Sequence, residues 1–192
     1  MEFKIVSTEE EYKSTDTLIH KAYHQKKLID KGDYTHINRL KKVSTIRAYG
    51  KKGLEPIITC SAIFSSKQEE LPSSDIYAKE ILELLNTKKY VAEVCLLADC
   101  RKIPRFYDLL NILSLLSAEG MKKGVTDVVL SVNPKSCNFY ELFFNCKKLG
   151  VEKNYEKLSE APAQLMYLNL ALIDSENFPK LFRKTVYKYY NE

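Results

Sequence analysis

The chain has 192 residues, of which 45% are hydrophobic and 29% are charged, which are ordinary values for a globular protein. No window approaches the roughly 20 apolar residues that a membrane-spanning helix needs, and no export signal opens the chain, so we expect a cytoplasmic protein without a membrane span. The net charge of +5 is modest and the lysines are scattered, which does not imply a nucleic-acid partner but leaves an acidic partner surface open.

Cysteine and histidine usage gives no indication of disulfides or metals. The five cysteines are an odd number without a CxxC pair, and three lie in apolar stretches, so we expect buried thiols of a reducing compartment. His20 and His24 share one helical face, but two ligands are too few for a metal site and no HExxH motif surrounds them. We therefore expect no metal.

The first elements are predicted to be an edge strand and a helix. Residues 3–6 alternate as an edge strand does. Ser7 or Thr8 followed by three glutamates is typical of a helix start, because carboxylates interact favourably with the free N–H groups there. Apolar residues then recur with the helical period to about Lys27, and residues 31–33 end the pattern.

A hairpin is predicted next. Two β-prone runs, at residues 43–49 and 56–64, are joined by residues 50–53, which have a glycine at each end. The polar residues 65–74 are predicted to form a loop, and Asp75 is predicted to open a second helix.

The centre of the chain is its most apolar part. Residues 90–98 form a nearly continuous apolar run, which predicts a strand buried on both faces. An apolar helix follows and ends at Gly120. A strand at residues 125–132 and a helix from Pro134 to Phe144 come next.

The last strand is predicted at residues 164–172, after turn residues 160–162, with a weakly signalled strand before it and a closing helix at 174–190. The order of elements favours an α/β (α+β) protein with a mixed sheet flanked by helices over a doubly wound parallel sheet. We expect a single domain over residues 1–192, because no linker or repeat divides the chain.

One motif indicates a known superfamily. The segment NPKSCNFYELFF places Tyr140 seven residues after Asn133, and it resembles the "N..A..lYe..GF" signature of the GNAT acyltransferases. The runs AEVCLLAD, NPKSCNFYELFFNCKKLG and APAQLMYLNL are similar to the pattern of the bacterial N-acyl amino acid synthases, which are related to the acyl-homoserine-lactone autoinducer synthases. With LPSSDIYAKEILELL, the resemblance covers about residues 71–172.

The resemblance implies a splay between the two central parallel strands and direct attack of a small amine on an acyl-pantetheine thioester. The thioester is a co-substrate carried by acyl carrier protein or CoA, and no cofactor is bound permanently. Tyr140 is then the general acid that protonates the departing thiolate. The residues expected to bind the acyl donor are Val94, Leu96, Leu97, Arg101, Lys102, Arg105 and Asn133.

Glu93 is a candidate functional residue apart from the resemblance. Burying a lone carboxylate in an apolar strand costs free energy, so such a group tends to be paired or functional. We expect it to accept the amine proton or to bind the acceptor. The alternative is a structural ion pair with a distant Lys or Arg.

Three positions depart from the pattern. Leu96 stands where the related sequences have an arginine, and Asn145 and Cys146 replace the usual Gly-Phe pair, although asparagine tolerates a left-handed backbone. The expected pyrophosphate loop, CRKIPRFYD, contains no glycine.

The glycine-free loop favours a long-chain acyl donor on acyl carrier protein, which presents a single phosphate, over free acetyl-CoA. The basic side chains expected to steer an acidic carrier are Arg101, Lys102, Arg105, Lys122, Lys123 and Lys135. The alternatives are an acetyl-CoA-dependent N-acetyltransferase and a ligand-binding module without turnover.

Overall fold

The computed structural model describes residues 1–30, 32, 34–43, 46–53, 55–65, 71–88 and 90–192. Eight strands and six α-helices lie in these residues. In chain order they are β1 (Glu2–Ile5), α1 (Glu9–Gln25), α2 (Thr35–Val43), β2 (Ile46–Lys52), β3 (Glu55–Phe64), α3 (Ser74–Thr87), β4 (Val91–Asp99), α4 (Phe106–Lys122), β5 (Asp127–Val132), α5 (Cys137–Phe144), β6 (Lys147–Lys148), β7 (Lys153–Tyr155), β8 (Ala161–Asn169) and α6 (Lys180–Tyr190).

The strands form a mixed sheet in the order β1-β2-β3-β4-β5-β8-β6, and β7 pairs with the start of β8. β4 and β5 run parallel, joined by the crossover helix α4, which parallel neighbours require. The other pairs among the described strands are antiparallel. The predicted α/β (α+β) fold with a mixed sheet is confirmed, and β1 lies at an edge as expected.

Helices cover both faces of this sheet. One apolar core receives side chains from α1, α2 and α3, and the other receives them from α4, α5 and α6. Successive residues of β4 alternate between the two cores, with Val91 in the first and Ala92 in the second. β4 is therefore buried on both faces, as its apolar run predicts. Among the helices in the described part of the chain, none combines the length and apolar character needed to cross a bilayer.

A buried arginine ties α1 to the sheet. Arg47 on β2 is 1% exposed and donates hydrogen bonds to Ser61 Oγ at 3.0 Å and Thr15 Oγ1 at 3.2 Å. Its Nη1 also lies 2.6 Å from Asp16 Oδ1. A buried guanidinium is tolerated only when its donors find partners, and these three acceptors supply them for Nε and Nη1.

The helix α2 was missed by the sequence analysis, which placed a strand from residue 43. Val43 is the last residue of α2, and the strand β2 begins at Ile46. The only fully buried apolar residues described in α2 are Ile37 and Leu40, one helical turn apart, and the sequence analysis did not use this short helical spacing. Some positions of the predicted elements lie outside the described residues, namely 31, 33, 44, 45 and 66–70.

The end of the chain also differs from the prediction. β8 starts at Ala161 and pairs there with β7, so the predicted turn residues 161 and 162 belong to a strand. The strand ends at Asn169, and α6 begins at Lys180, after Pro179, instead of at residue 174. Proline fixes its own backbone and disfavours helix in the residue before it, which explains the late start.

The contacts of the buried Arg47 with α1 lead to a prediction about stability. Asp16→Ala should lower the free energy of unfolding by about 3 kcal/mol, because it leaves part of a buried guanidinium without its charged partner. Lys13→Ala, which breaks the exposed pair with Glu9 on the same helix, is the control and should cost about 0.5 kcal/mol. Urea unfolding measures both, and equal effects would contradict the anchoring role.

Candidate active site

The two central strands separate partway along their length. Parallel pairing between β4 and β5 ends at Glu93 and Val129. Beyond this point β4 continues beside β3 to Asp99, while β5 continues beside β8 to Val132. The sheet therefore opens between its central strands, which is the splay that the resemblance implied.

A bulge in β4 lies at the start of this opening. Cys60 on β3 is the single residue opposite both Leu96 and Leu97. Leu96 has a φ of 52°, in the left-handed region that a bulky side chain rarely adopts. A bulge leaves the backbone groups of its extra residue without a ladder partner.

A cavity of about 490 Å³ occupies the opening, within the usual range for ligand sites. Its two long walls are residues 94–97 of β4 and 130–133 at the end of β5, and α1, α2, β7 and the start of β8 complete it. Four of the predicted donor-binding residues line this cavity: Val94, Leu96, Leu97 and Asn133. Both predicted catalytic residues, Glu93 and Tyr140, line it as well.

Tyr140 projects from α5 and is 7% exposed. Its ring contacts those of Phe139 at 5.5 Å and Phe144 at 5.7 Å, which hold it in place. Tyr140 lines the cavity, and within the described part of the chain no residue hydrogen-bonds its hydroxyl. Burial raises the pKa of this hydroxyl, so it carries its proton throughout the neutral range.

The turn that leads into α5 depends on Asn133. Its Oδ1 accepts a hydrogen bond from the backbone N–H of Lys135 at 3.0 Å, which caps the short 3₁₀ turn Pro134–Ser136. At the other end of α5, Asn145 has a φ of 57°. This confirms that asparagine accommodates the left-handed turn where the related sequences have glycine.

Glu93 is 3% exposed and sits at the last paired position of β4. Its carboxylate accepts hydrogen bonds from the backbone N–H of Ser73 at 2.8 Å and from the Ser73 hydroxyl at 2.7 Å. Burial outweighs these two bonds and raises the pKa of Glu93 to about 7. The structural ion pair considered above is not present among the described residues, since no Lys or Arg contacts the carboxylate directly.

A chain of hydroxyls gives Glu93 a second route to the cavity. Ser131 Oγ on β5 lies 2.7 Å from Ser73 Oγ. Because the Ser73 proton is given to the Glu93 carboxylate, the Ser131 hydroxyl is the donor in this pair while Glu93 is ionised. Ser131 lines the cavity, so the chain ends where a substrate would bind.

Arg101, Lys102 and Arg105, the three basic residues of the expected pyrophosphate loop, differ in their surroundings. Arg101 donates to Asp99 and Asp108, so its charge is balanced by two carboxylates of its own neighbourhood. Lys102 and Arg105 are exposed, and Arg105 precedes the first turn of α4. The exposed pair is therefore better placed than Arg101 to meet a phosphate.

Sequence reasoning did not select Ser73 or Ser131. Ser73 falls at the end of the segment predicted as a loop, where serines are common and carry no specific signal. Ser131 interrupts an apolar strand, as Glu93 does, and that interruption is the signal that was available. Their link to Glu93 depends on residues 20 and 58 positions apart and appears only in the fold.

Comparison with protein families gives one match that spans most of the chain. The family described as "N-acyl amino acid synthase FeeM" matches residues 14–169. No curated protein sequence matches the chain at a significant level.

Solved structures share the fold at low sequence identity. FeeM, an N-acyl amino acid synthase from uncultured soil microbes, superposes with a TM-score of 0.77 at 21% identity, over 89% of this chain and 96% of that one. Ribosomal-protein-alanine N-acetyltransferase from Brucella melitensis gives 0.58 at 9% identity, over 88% and 100%. An aminoglycoside 6'-N-acetyltransferase complexed with coenzyme A gives 0.56 at 11% identity, over 88% and 97%.

The raised pKa of Glu93 makes a prediction about stability. A carboxyl that binds its proton more tightly in the folded state stabilises fully below its unfolded pKa, and this contribution is lost as the pH rises through the folded value. Wild type should therefore lose about 2 kcal/mol relative to Glu93→Gln between pH 5 and pH 7. Urea unfolding at both pH values measures this. A wild-type-to-variant difference that does not change with pH would contradict a buried, proton-binding Glu93.

Proposed function

The chain belongs to the N-acyl amino acid synthase FeeM family and is an acyltransferase, and we propose that it moves an acyl group from a pantetheine thioester to the amine of an amino acid or similar small molecule. The observation that carries the proposal is that Glu93 and Tyr140, a proton acceptor and a proton donor, line the same cavity in the opened sheet. The chemistry requires one of each.

The donor is proposed to lie in the opening between β4 and β5. Its carbonyl oxygen would face the bulge at Leu96, where an unpaired backbone N–H can stabilise the negative charge that develops on that oxygen. Holding amine and thioester side by side in this cavity supplies much of the rate gain. The missing family arginine at Leu96 is then compatible with turnover, because the backbone and not the side chain contacts the carbonyl.

The amine is proposed to lose its proton to Glu93, directly or through Ser131 and Ser73. A carboxylate with a pKa of about 7 is well matched to this task at neutral pH. The amine nitrogen attacks the thioester carbon, and the carbon–nitrogen bond forms. When the tetrahedral intermediate collapses, the carbon–sulfur bond breaks, and the sulfur leaves with the proton of Tyr140.

An exposed aromatic patch supports a carrier protein as the donor. We define the aromatic patch as Ile103, Phe106, Tyr107, Phe139 and Phe143, which join the start of α4 to α5. Its ring centroids lie 4.8 Å apart for Phe106 and Phe143 and 5.4 Å apart for Phe106 and Tyr107. Ile103 is 81% exposed and Tyr107 is 66% exposed, and exposed apolar clusters of this kind often mark protein contacts.

The position and charge of the aromatic patch fit an acidic carrier delivering an acyl chain. Phe139 contacts the Tyr140 ring, so the patch continues into the cavity wall. Lys102 and Arg105 lie in the same segment as Ile103 and are exposed. An acidic surface would be attracted to them, and they would also meet the single phosphate of a pantetheine arm. Lys122, by contrast, binds Glu119 and the carbonyl of Tyr189 at the other end of α4.

The proposed function is tested by thiol release. Wild type should release one free thiol per amide formed when a thioester donor meets an amino acid. Tyr140→Phe should lower kcat about 100-fold and change the donor KM less than about threefold, because the hydroxyl acts only as the thiolate leaves. Tyr189→Phe removes the hydroxyl of another buried tyrosine, which bonds Asn111, and should leave both constants unchanged. Normal turnover in Tyr140→Phe would remove it from the mechanism.

The carrier preference has its own experiment, in which one long acyl chain is offered on acyl carrier protein and on CoA. Carrier protein should be the better donor at low salt. Arg105→Glu should lower the kcat/KM for the acyl carrier protein donor about tenfold. This loss should be smaller at 1 M salt, where the Debye length is about 3 Å. Lys184→Glu on α6 is the charge-matched control. Equal or better use of acetyl-CoA, insensitive to salt, would identify the protein as an acetyltransferase instead.

A further inference from the structure

The cavity between β4 and β5, here called the main cavity, reaches both faces of the sheet, and its two sides differ in chemistry. Glu93 and Ser131 both connect through Ser73 to the start of α3, which places them on the side that α1, α2 and α3 cover. Leu113 and Leu130 line the main cavity from the opposite side, where they belong to the apolar core of α4, α5 and α6. An amine at Glu93 would therefore leave the α4 side of the main cavity to the apolar part of the donor.

A second, smaller cavity lies on the α4 side of the sheet. We call it the tail cavity and define it by six of the residues that line it: Ala62, Ala92, Val94, Ser117, Gly120 and Val128. Its volume is about 10 Å³, the space of about one water molecule, and its lining is apolar except for Ser117. An apolar space of this size is a poor site for water, and it suits the methyl end of a hydrocarbon chain.

The tail cavity continues the main cavity along α4 and β5. Leu113 on α4 lines the main cavity, and Leu116 and Gly120, further along the same helical face, line the tail cavity. Leu130 on β5 lines the main cavity, and Val128, the next residue on the same face of the strand, lines the tail cavity. Both steps lead from the opening of the sheet toward the half in which β4 and β5 are paired, over about 10 Å of α4.

Val94 lies between the two cavities and lines both of them. It follows Glu93, the last residue of β4 that pairs with β5, and its half-buried side chain packs against the core on the α4 side. Beyond Val94 the tail cavity has room because Ala62, Ala92 and Gly120 carry little or no side chain. A hydrocarbon chain in the main cavity must therefore pass the Val94 side chain to reach this space.

We propose that Val94 sets the length of the acyl chain that the protein accepts, with the end of a long chain lying in the tail cavity. The inference rests on the proposed function, because it needs an acyl donor in the main cavity. The thioester would lie near Tyr140, and the acyl chain would run past Leu113 toward the paired half of β4 and β5. One methylene more or less in an apolar pocket changes kcat/KM about tenfold or more, so a single side chain at this point can decide which chains fit.

Gly120 allows the tail cavity to be filled without destabilising the fold. A methyl group added there would lie 3.4 Å from Val125 Cβ, which is an ordinary contact distance. Alanine also favours a helix more than glycine does, so Gly120→Ala should raise the melting temperature slightly. A loss of long-chain use in this variant would therefore reflect the filled cavity and not unfolding.

The experiment offers one amino acid acceptor with hexanoyl and tetradecanoyl thioesters of the same carrier. The measured quantity is the tetradecanoyl-to-hexanoyl ratio of kcat/KM, in which effects common to both donors cancel. Val94→Ala should raise this ratio about tenfold, because it widens the passage to the tail cavity. Gly120→Ala should lower it about tenfold, both in wild type and in the Val94→Ala background.

Val132→Ala is the matched control. Val132 is also half-buried and lines the main cavity, at the end of β5 that is distant from the tail cavity. The ratio in this variant should stay within about twofold of wild type. A rise equal to that in Val94→Ala would overturn the inference, because any widening of the main cavity would then have the same effect.

The remaining outcomes separate this inference from the proposed function. A ratio unchanged in both Val94→Ala and Gly120→Ala overturns it, as does a gain in Val94→Ala that Gly120→Ala does not reverse. If Val94→Ala does not fold, Gly120→Ala alone decides. If wild type turns over no thioester, the proposed function fails, and titration calorimetry with tetradecanoic acid still tests the tail cavity. Gly120→Ala should weaken this binding about tenfold, and equal binding would overturn the inference.

Discussion

The separation of β4 from β5 after Glu93 is the constraint on which the rest of the site depends. Backbone groups inside a protein need partners, and the sheet can split only because β4 stays paired with β3 while β5 stays paired with β8. The left-handed backbone of Leu96 costs about 1–2 kcal/mol, which the apolar cores on both faces of the sheet offset. What results is a cavity whose walls offer backbone groups as well as side chains.

The same constraint also affects the pKa of Glu93. Glu93 is the last residue of β4 that pairs with β5, and it also lines the cavity. Two hydrogen bonds from Ser73 replace only part of the hydration that an ionised carboxylate loses on burial. The balance leaves its pKa at about 7, so burial, usually a cost, gives the residue a useful proton affinity at neutral pH.

The basic side chains near the site differ in how many carboxylates pair with them. Arg101 has two carboxylate partners and is neutralised within its own loop, which leaves Lys102 and Arg105 as the exposed cations on the donor side. Near the start of α3, Arg39 and Lys157 both pair with Asp75. Glu93 and Tyr140 lie on the walls of the cavity itself.

The sequence by itself determined the features that depend on near neighbours: the alternation of strands and helices after Asp75, the buried central strand with its lone Glu93, and the seven-residue spacing from Asn133 to Tyr140. Local periodicity, capping and turn chemistry carry that information within a few residues. The sequence analysis missed α2, although its buried Ile37 and Leu40 lie one helical turn apart, and the structure places both residues in the core that α1 and α3 share. Only the tertiary structure decided the Ser73–Glu93, Ser73–Ser131 and Arg39–Asp75 contacts, because their partners are 20, 58 and 36 residues apart, and a hydrogen bond between such distant residues leaves no periodic trace in the chain.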